Sequence, residues 1–591
     1  MELIMKNQNK NKKVILGIII SFSFLYLIIM FSSSSTEINT SEEIPVMEVS
    51  ESTILYKIDD KEINNSIDDS GTYEGIIENS GADSEIDSIT NNISPVIVAD
   101  VANVANVANV ANVAKIESPF ISIDKKYRAV ALGASDLSER NKVNIVAFGA
   151  KGDGITDDTK SIQDAIDFLG DEGGIVYIPK GNYLCNNIKL KSNISIIGDG
   201  WNSVLQQKVE EHKFQSLLGI NQGGIDTNQP NGNKKLVGSI QNVEIKNLKL
   251  QGTVDSEGFS EWVHLLSLNS CSNILVDTVM FEGFRGDGIF IGVESKKERH
   301  VSNVTIRNSQ FDGINKDNRN GISILDGSDI LIENNKFKRI SRSDMPGAIC
   351  IEPNHKNSIE WTIIKDITIK NNYFNDIGTI GIVYYNPNYL STMLLGPTEG
   401  IVIEGNVIDG AYIGIHLTQA YEVMNDSIPK LNINILKNTI KNCFAPIQAQ
   451  GIRGLNIQEN LLQNCNSGLG LGLGGKKVLD VNVVGNSFVK LGHTEDGAGL
   501  LINNASSVTI TKNTFEDCGV VSKKSKEGFA IIFYGGGSDN MIIEKNSVTS
   551  PSNITTHFIY VAPNHKFNSV ANKYNDNKTG SFITSKIVKK Y

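Results

Sequence analysis

Glu352 and His355 sit in the run Ile351–His355, Ile-Glu-Pro-Asn-His, which sets an acid and a base on one short segment. Asp326 offers a second carboxyl one segment earlier, and Tyr385 and His416 lie one and two segments later. Two chemistries use such groups. Hydrolysis of a glycosidic bond needs one carboxyl as acid and another as base or nucleophile; Asp326 with Glu352 can form that pair. Proton removal beside the carboxylate of a uronic acid, shared by elimination and epimerisation, needs a base plus cations to hold the carboxylate. His355, His416 or Tyr385 is then the base, and Lys316, Arg319 and Arg342 are the cations. Thr418, Gln448 and Gln450 add hydrogen-bonding groups for substrate. No cofactor follows from these residues; calcium is the candidate metal, without an evident ligand set. A lone acid or histidine on a solvated wall is more often plain surface, so the case rests on what brings these residues together.

A repeat does so. Eight cassettes place an apolar residue, a gap, a second apolar residue and then Asn at the sixth position: from Ile330, Ile367, Ile401, Ile433, Leu455, Val481, Val508 and Met541. Their asparagines are Asn335, Asn372, Asn406, Asn438, Asn460, Asn486, Asn513 and Asn546, spaced 22 to 37 apart. Alternation puts one face of each short strand inward. Four or five apolar residues cannot bury a core alone, so the units must stack coil on coil. Asparagines at one turn position then hydrogen-bond up and down the stack, satisfying amides that are costly to bury bare. The equivalent earlier positions, Ser309, Val279 and Leu248, break that ladder. Phe311, Phe337, Phe374, Phe488 and Phe515 follow at a fixed offset and predict an inner aromatic stack. A β-sandwich would not repeat one residue type in register, and the loops lack the helical periodicity of a leucine-rich horseshoe. The pattern predicts an all-β parallel β-helix of roughly a dozen coils, about 55 Å long at ~4.8 Å per coil.

Aligning the second strand of each coil on its inward pair gives two outward columns. One runs Phe290, Ser323, Cys350, Val383, His416, Gln448; the other Gly292, Leu325, Glu352, Tyr385, Thr418, Gln450. Asp326, Asn354, His355 and Asn386 lie just beyond, and His264, Asp287 and Asn320 form an edge column. Polar groups concentrate in the middle coils, which makes that strip the natural groove.

Ahead of the repeats, Val143–Leu184 contains FGAKGDG (Phe148–Gly154), TDDT (Thr156–Thr159), IQDAI (Ile162–Ile166) and VYIPKGNY (Val176–Tyr183), followed by IIGDGWNSVL (Ile196–Leu205). This block resembles the opening of the rhamnogalacturonase-like and epimerase-like group of the pectate lyase superfamily, and the repeats extend the resemblance to about residue 575. The resemblance implies a right-handed parallel β-helix acting on polysaccharide. By residue type, Asp157 or Asp158 can cap a helix whose apolar face is Ile162, Ala165, Ile166 and Leu169, and that helix would plug the open end of the solenoid. GAKGDG lacks the Lys-Ser/Thr pair of a phosphate loop. Asp153, Asp157 and Asp158 suit turn and cap duty better than calcium. The runs Ile351–His355 and Tyr384–Pro387 look loosely like the Tyr, acid, Pro and His pieces of alginate epimerases. The Asn-Thr-Asp, Gly-Asp-Asp and Gly-His-Gly motifs of polygalacturonases are absent, and so is the three-acid calcium cluster of pectate lyases. Trp262 and Trp361 are candidate sugar-stacking rings.

Val14–Phe31 are uncharged and strongly apolar, after Lys6, Lys10, Lys12 and Lys13. They predict a transmembrane signal-anchor, or a signal peptide, with residues 1–13 as a short cytosolic basic tail. The protein is then expected in the cell membrane as a single-pass chain with its C-terminal domain extracellular, or secreted if the segment is cleaved. Residues 32–141 hold 20 acidic and 7 basic residues and the run VANVANVANVAN, the composition of an acidic low-complexity stalk. The β-helix domain is then 142–591, with a capping helix at about 158–170 and a tail from about 576. Residues 1–31 contribute +3 and the stalk −13, which leaves the β-helix about −1 of the net charge of −11. No basic stripe appears, which argues against nucleic acid. Six cysteines show no zinc spacing; Cys443 and Cys465 occupy one place in adjacent coils, near enough for a disulfide. The expected partner is a polysaccharide, with the membrane engaged through the N-terminal helix and a homotrimeric rod left open. Lyase or epimerase action on an acidic polysaccharide is the leading reading, glycoside hydrolysis with paired carboxylates the second, and a non-catalytic adhesin the third.

Overall fold

The computed structural model describes residues 141–567 apart from 210–214, 221–224, 227–234, 237–239, 293–299, 354–362, 387–397, 420–428, 494–496 and 520–526, together with the pairs 578–579 and 588–589. All of these belong to one of the two units into which the chain divides; the other, Tyr26–Lys126, lies outside the described residues.

Strands of the main sheet pair in parallel, each with its counterpart one coil before and one coil after. The arrangement is all-β and fits a right-handed parallel β-helix. Inside, like stacks on like. Ile330 and Ile332 pair with Ile367 and Ile369, which pair with Ile401 and Ile403, and all six are fully buried. Phe281, Phe311, Phe337 and Phe374 form a continuous stack with centroids 4.6–4.7 Å apart; Ile408, Ile440 and Leu462 take the next places in the column, and Phe488 and Phe515 then stack at 4.5 Å. Each such ring or branched side chain contributes about 1.5–3 kcal/mol by leaving water.

The turns explain the asparagines. The residue before each ladder position is left-handed: Asn334, Asn371, Lys437, Glu459, Lys512 and Lys545 have φ between +54° and +59°, with Gly405 and Gly485 in the same place. That conformation costs about 1–2 kcal/mol for a residue with a Cβ. The next side chain offsets it. Asn335 donates its N–H and Nδ2 to Asn372 Oδ1 at 2.9 and 3.0 Å, and Asn372 Nδ2 reaches back to Ile332 O at 2.9 Å. The motif repeats through Asn406, Asn438, Asn460, Asn486 and Asn513 to Asn546. It also runs one coil further than expected. Ser309 donates its N–H to Asn335 Oδ1 at 2.9 Å and accepts from Val279 N–H at 3.1 Å. A hydroxyl serves as acceptor as an amide oxygen does, so the ladder stops at Val279 rather than at Ser309.

At the N-terminal end, the helix Thr159–Leu169 buries Ile162, Ala165, Ile166 and Leu169. Asp158 stands at its N-cap but turns its carboxylate to the Lys151 and Gly152 N–H groups, at 2.7 and 3.1 Å. Asp157 accepts from Thr159 N–H instead, at 3.1 Å, and Asp153 closes its own turn on Ile155 and Thr156. Among the described residues no group of three or more His, Cys, Asp or Glu is placed to hold a metal ion. All six cysteines are buried free thiols, Cys443 and Cys465 included.

The single-pass membrane placement is corrected. Among the described residues no helix is long and apolar enough to cross a membrane. The longest, with 11 residues, rises about 16 Å, against a hydrocarbon core of about 30 Å. Val14–Phe31, from which the span was read, lie outside the described residues.

Candidate functional site

Six parallel strands carry the strip: Ile289–Gly292, Ile322–Ile324, Ile349–Ile351, Ile380–Asn386, Ile413–Gln419 and Ala445–Gln450. Their register stacks Phe290, Ser323, Cys350, Val383, His416 and Gln448 in one outward column. Tyr385, Thr418 and Gln450 pair beside it. Glu352 lies just past its own strand, its N–H bonded to Ile324 O at 2.8 Å. On the opposite edge, Asp287 and Asn320 each precede a glycine. A Cβ on Gly288 or Gly321 would stand 2.7 or 2.8 Å from a carbonyl oxygen of the next coil, so glycine is what lets the coils close up behind these polar side chains.

Arg319 is the hub of the site. Its Nη1 donates to both oxygens of Asp287 and to Ser323 Oγ, each at 3.1 Å. Its Nη2 lies 3.6 Å from Glu352 and its Nε 3.8 Å from Glu261. Glu261, Asp287, Arg319 and Glu352 come from four successive coils, so only stacking unites them. Burial opposes the charge of Arg319, but Asp287 and Glu352 more than restore it, and its pKa rises above the ordinary value. The Glu352 carboxyl is pushed the same way: burial raises its pKa, Arg319 lowers it, Asp287 raises it, and the balance is upward. Cys350 lies below, Sγ 3.8 Å from Glu352, its thiol held well above the usual range by burial.

His264 supports this cluster without facing solvent. Its Nδ1 accepts the Asp287 N–H at 3.1 Å, so a neutral ring carries its proton on Nε2, and it stacks on Phe290 at 4.9 Å. Burial drives its pKa down to about 4 despite Asp287 nearby.

Other residues singled out in the sequence take different places. Asp326 does not join Glu352: it is fully buried, bonding His300 Nδ1 at 2.7 Å and the Val301 and Ile363 N–H groups at 3.0 and 2.9 Å. It staples two loops. His355 and Trp361 lie outside the described residues. Tyr385 packs on the apolar patch of Cys350, Ile380, Val383, Ile413 and Ala445. His416 is on the strip but buried, with its pKa driven down to about 4 by burial and then Lys476. Thr418 is buried there too, while Gln448 and Gln450 are partly exposed.

The expected neutralising cations are already matched. Lys316 pairs with Asp376. Arg342 pairs with Asp344 at 3.0 Å and Asp317 at 3.4 Å, and lies over the Phe259 ring. Asn315, Lys316, Asp317, Arg342, Ser343 and Asp344 line an open hollow of about 370 Å³. Asp287, which the sequence places only in an edge column without a role, and Glu261, which it does not single out, complete the site. The Asp-Gly-Ile and Asn-Gly-Ile openings of two strip strands were a signal for the first; nothing in the repeat pattern marks the second.

With this geometry in hand, comparison with known proteins gives the family. Residues 142–340 match the family profile described as rhamnogalacturonase A/epimerase, pectate lyase-like. That match assigns residues 142–340 to the pectate lyase-like superfamily. Residues 388–575 also match the profile of the periplasmic copper-binding protein NosD; among the described residues there is no group of three or more His, Cys, Asp or Glu placed to hold a metal ion. Over 435 residues the chain is 26% identical to the plasmin and fibronectin-binding protein A of Streptococcus pneumoniae (strain ATCC BAA-255 / R6), covering 60% of this chain and 58% of that one. Over 211 residues it is 26% identical to the mannuronan C5-epimerase AlgE1 of Azotobacter vinelandii, covering 28% of this chain and 14% of the relative. The chain thus spans less than two thirds of either relative. The A-module of the Azotobacter vinelandii mannuronan C-5 epimerase AlgE6 aligns over 74% of this chain and 99% of its own, with a TM-score of 0.44 and 16% identity.

Proposed function

We propose that this pectate lyase-like protein binds a polysaccharide along the outward strip and cleaves a glycosidic bond there, with Glu352 as the acid. The observation that carries the reading is the convergence of Glu352 and Glu261 on one guanidinium, Arg319. Glycoside hydrolysis needs two carboxyls in different states, one protonated and one ionised. Glu352 is the one held toward the protonated form. Glu261, about half exposed, is placed to act as base or nucleophile. Arg319 and Asp287 set the local field and hold both in place.

The same arrangement weighs against elimination as the first reading. Arg319 already faces the carboxylates of Asp287 and Glu261 beside the Glu352 carboxyl, so a uronate carboxylate brought here would compete with them for one cation. A second reading, proton abstraction at a uronate, is favoured by the relative named a mannuronan epimerase; it would draw its base from the segment holding His355. The relative named for binding plasmin and fibronectin keeps a third, purely adhesive reading in view.

One experiment separates them. Purified protein is incubated with neutral and uronate polysaccharides while reducing ends and absorbance near 235 nm are followed. Release of reducing ends without a rise at 235 nm, abolished by Glu352→Gln, is the expected result. A rise at 235 nm replaces hydrolysis by elimination. Binding with neither signal, and no proton exchange at C5, leaves adhesion.

A further inference from the structure

The segment Glu257–Trp262 is held in place by three arginines from three successive coils. Arg285, nearly buried, donates Nε to Gly258 O at 2.8 Å and Nη2 to Glu257 O at 3.0 Å. Arg342 lies 4.4 Å above the Phe259 ring. Arg319 meets Glu261. Backbone hydrogen bonds add to this, Ser260 N–H to Arg285 O at 3.4 Å and Gly286 N–H to Val263 O at 2.8 Å. At the near end Gly258 abuts the hollow, where a Cβ would stand 3.3 Å from Asp317 Oδ2. At the far end is Trp262, its side chain 54% exposed.

The exposed part of Trp262 leaves ring surface that a ligand can cover. A short segment anchored at three points has, in turn, little conformational freedom left to lose when something docks on it. Trp262 directly follows Glu261, one of the two carboxyls on Arg319, and the segment's other end borders a hollow lined by Asp317, Asp344 and Arg342. A pyranose presents both kinds of surface: a C–H face that stacks on aromatic rings and a rim of vicinal hydroxyls that donate to carboxylates and accept from guanidinium groups.

Resting on the site proposed above, we propose that Trp262 and the hollow at Arg342 form a second sugar subsite, which holds a pyranose beyond the two joined by the bond cleaved at Glu352. The indole takes its C–H face. Asp317 and Asp344 take its hydroxyls, and their salt bridges to Arg342 hold both side chains in place. Such a subsite selects a polymer whose units at this position carry free vicinal hydroxyls, and it disfavours a unit carrying a carboxylate there.

The test uses the full chain with Glu352→Gln, which permits binding without turnover. Hexasaccharides and disaccharides of polymannuronate, polygalacturonate and a neutral xylan are titrated by calorimetry. Trp262→Ala in that background is expected to weaken hexasaccharide binding roughly tenfold or more, Trp262→Phe to recover most of it, and Asp344→Asn to weaken it too. Disaccharides, which fill only the site at Glu352, are expected to bind both proteins alike, a length dependence that general loosening of the fold would not produce. Unchanged hexasaccharide affinity in Trp262→Ala would remove the subsite and leave the Glu352 site standing. Absence of binding across the whole panel would overturn the Glu352 site as well.

Discussion

Glu352 shows what surroundings do to an otherwise ordinary residue. Burial favours its neutral form, and Arg319 only partly reverses this. As an acid catalyst it should give a pH–rate profile whose alkaline limb falls at a pKa above the ordinary glutamate value, and Glu352→Asp should lose most activity while keeping that limb. His264 and His416 make the opposite case. Both titrate near 4 in the fold, against about 6.5 when unfolded, so the unfolded chain binds the extra protons. Their contribution to stability is therefore full above about pH 6.5 and is lost as pH falls toward 4. Each accounts for roughly 3 kcal/mol at most. Denaturant titrations at pH 7 and pH 4.5 should show this drop, and His416→Gln should shrink it. Asp326 belongs to stability rather than chemistry. Asp326→Ala strands His300 and two backbone N–H groups, which should cost about 2–4 kcal/mol and lower the Tm. The rate measured well below the Tm should stay as it was.

Among the elements, the turn that carries the asparagine ladder is the best defined. A middle rung such as Asn438 accepts from one neighbour and donates to another, whereas Asn546 closes the run. Asn438→Ala should therefore cost about 1–3 kcal/mol for the orphaned groups, and more than Asn546→Ala, measured by chemical denaturation. The residue before each rung gives a test of opposite sign. Lys437 has φ +54°, so Lys437→Gly removes about 1–2 kcal/mol of backbone strain, set against the entropy glycine returns to the unfolded chain. The net effect should be a small gain in Tm. The same exchange at Lys441, whose neighbour Asn442 is the left-handed one, should bring no such gain.

At the largest scale, the described coils stack in one dimension, each pairing with the coil before and the coil after. Residues 439–460 make one complete turn, since Thr439 is in register with Leu461 and Asn438 with Asn460. Excising them should leave a folded protein with unchanged circular dichroism per residue and a modest loss in Tm. Loss of cooperative unfolding would refute the nearest-neighbour picture. The sequence by itself determined the solenoid. A period of apolar pairs and asparagines is a local pattern, and stacking is the one way such short strands can bury themselves; the columns from Phe290 to Gln448 follow from that period alone. It also singled out Glu352, because the residue lies at the end of a strip strand. It could not show that Asp326 turns away to staple loops, that Lys316 and Arg342 are already neutralised, or that Arg319 gathers Glu261, Asp287 and Glu352. Those outcomes depend on side-chain directions at coil edges, where chains from four turns meet and loop lengths vary. Periodicity says which residues share a column; only the tertiary structure decides which charges find each other across it.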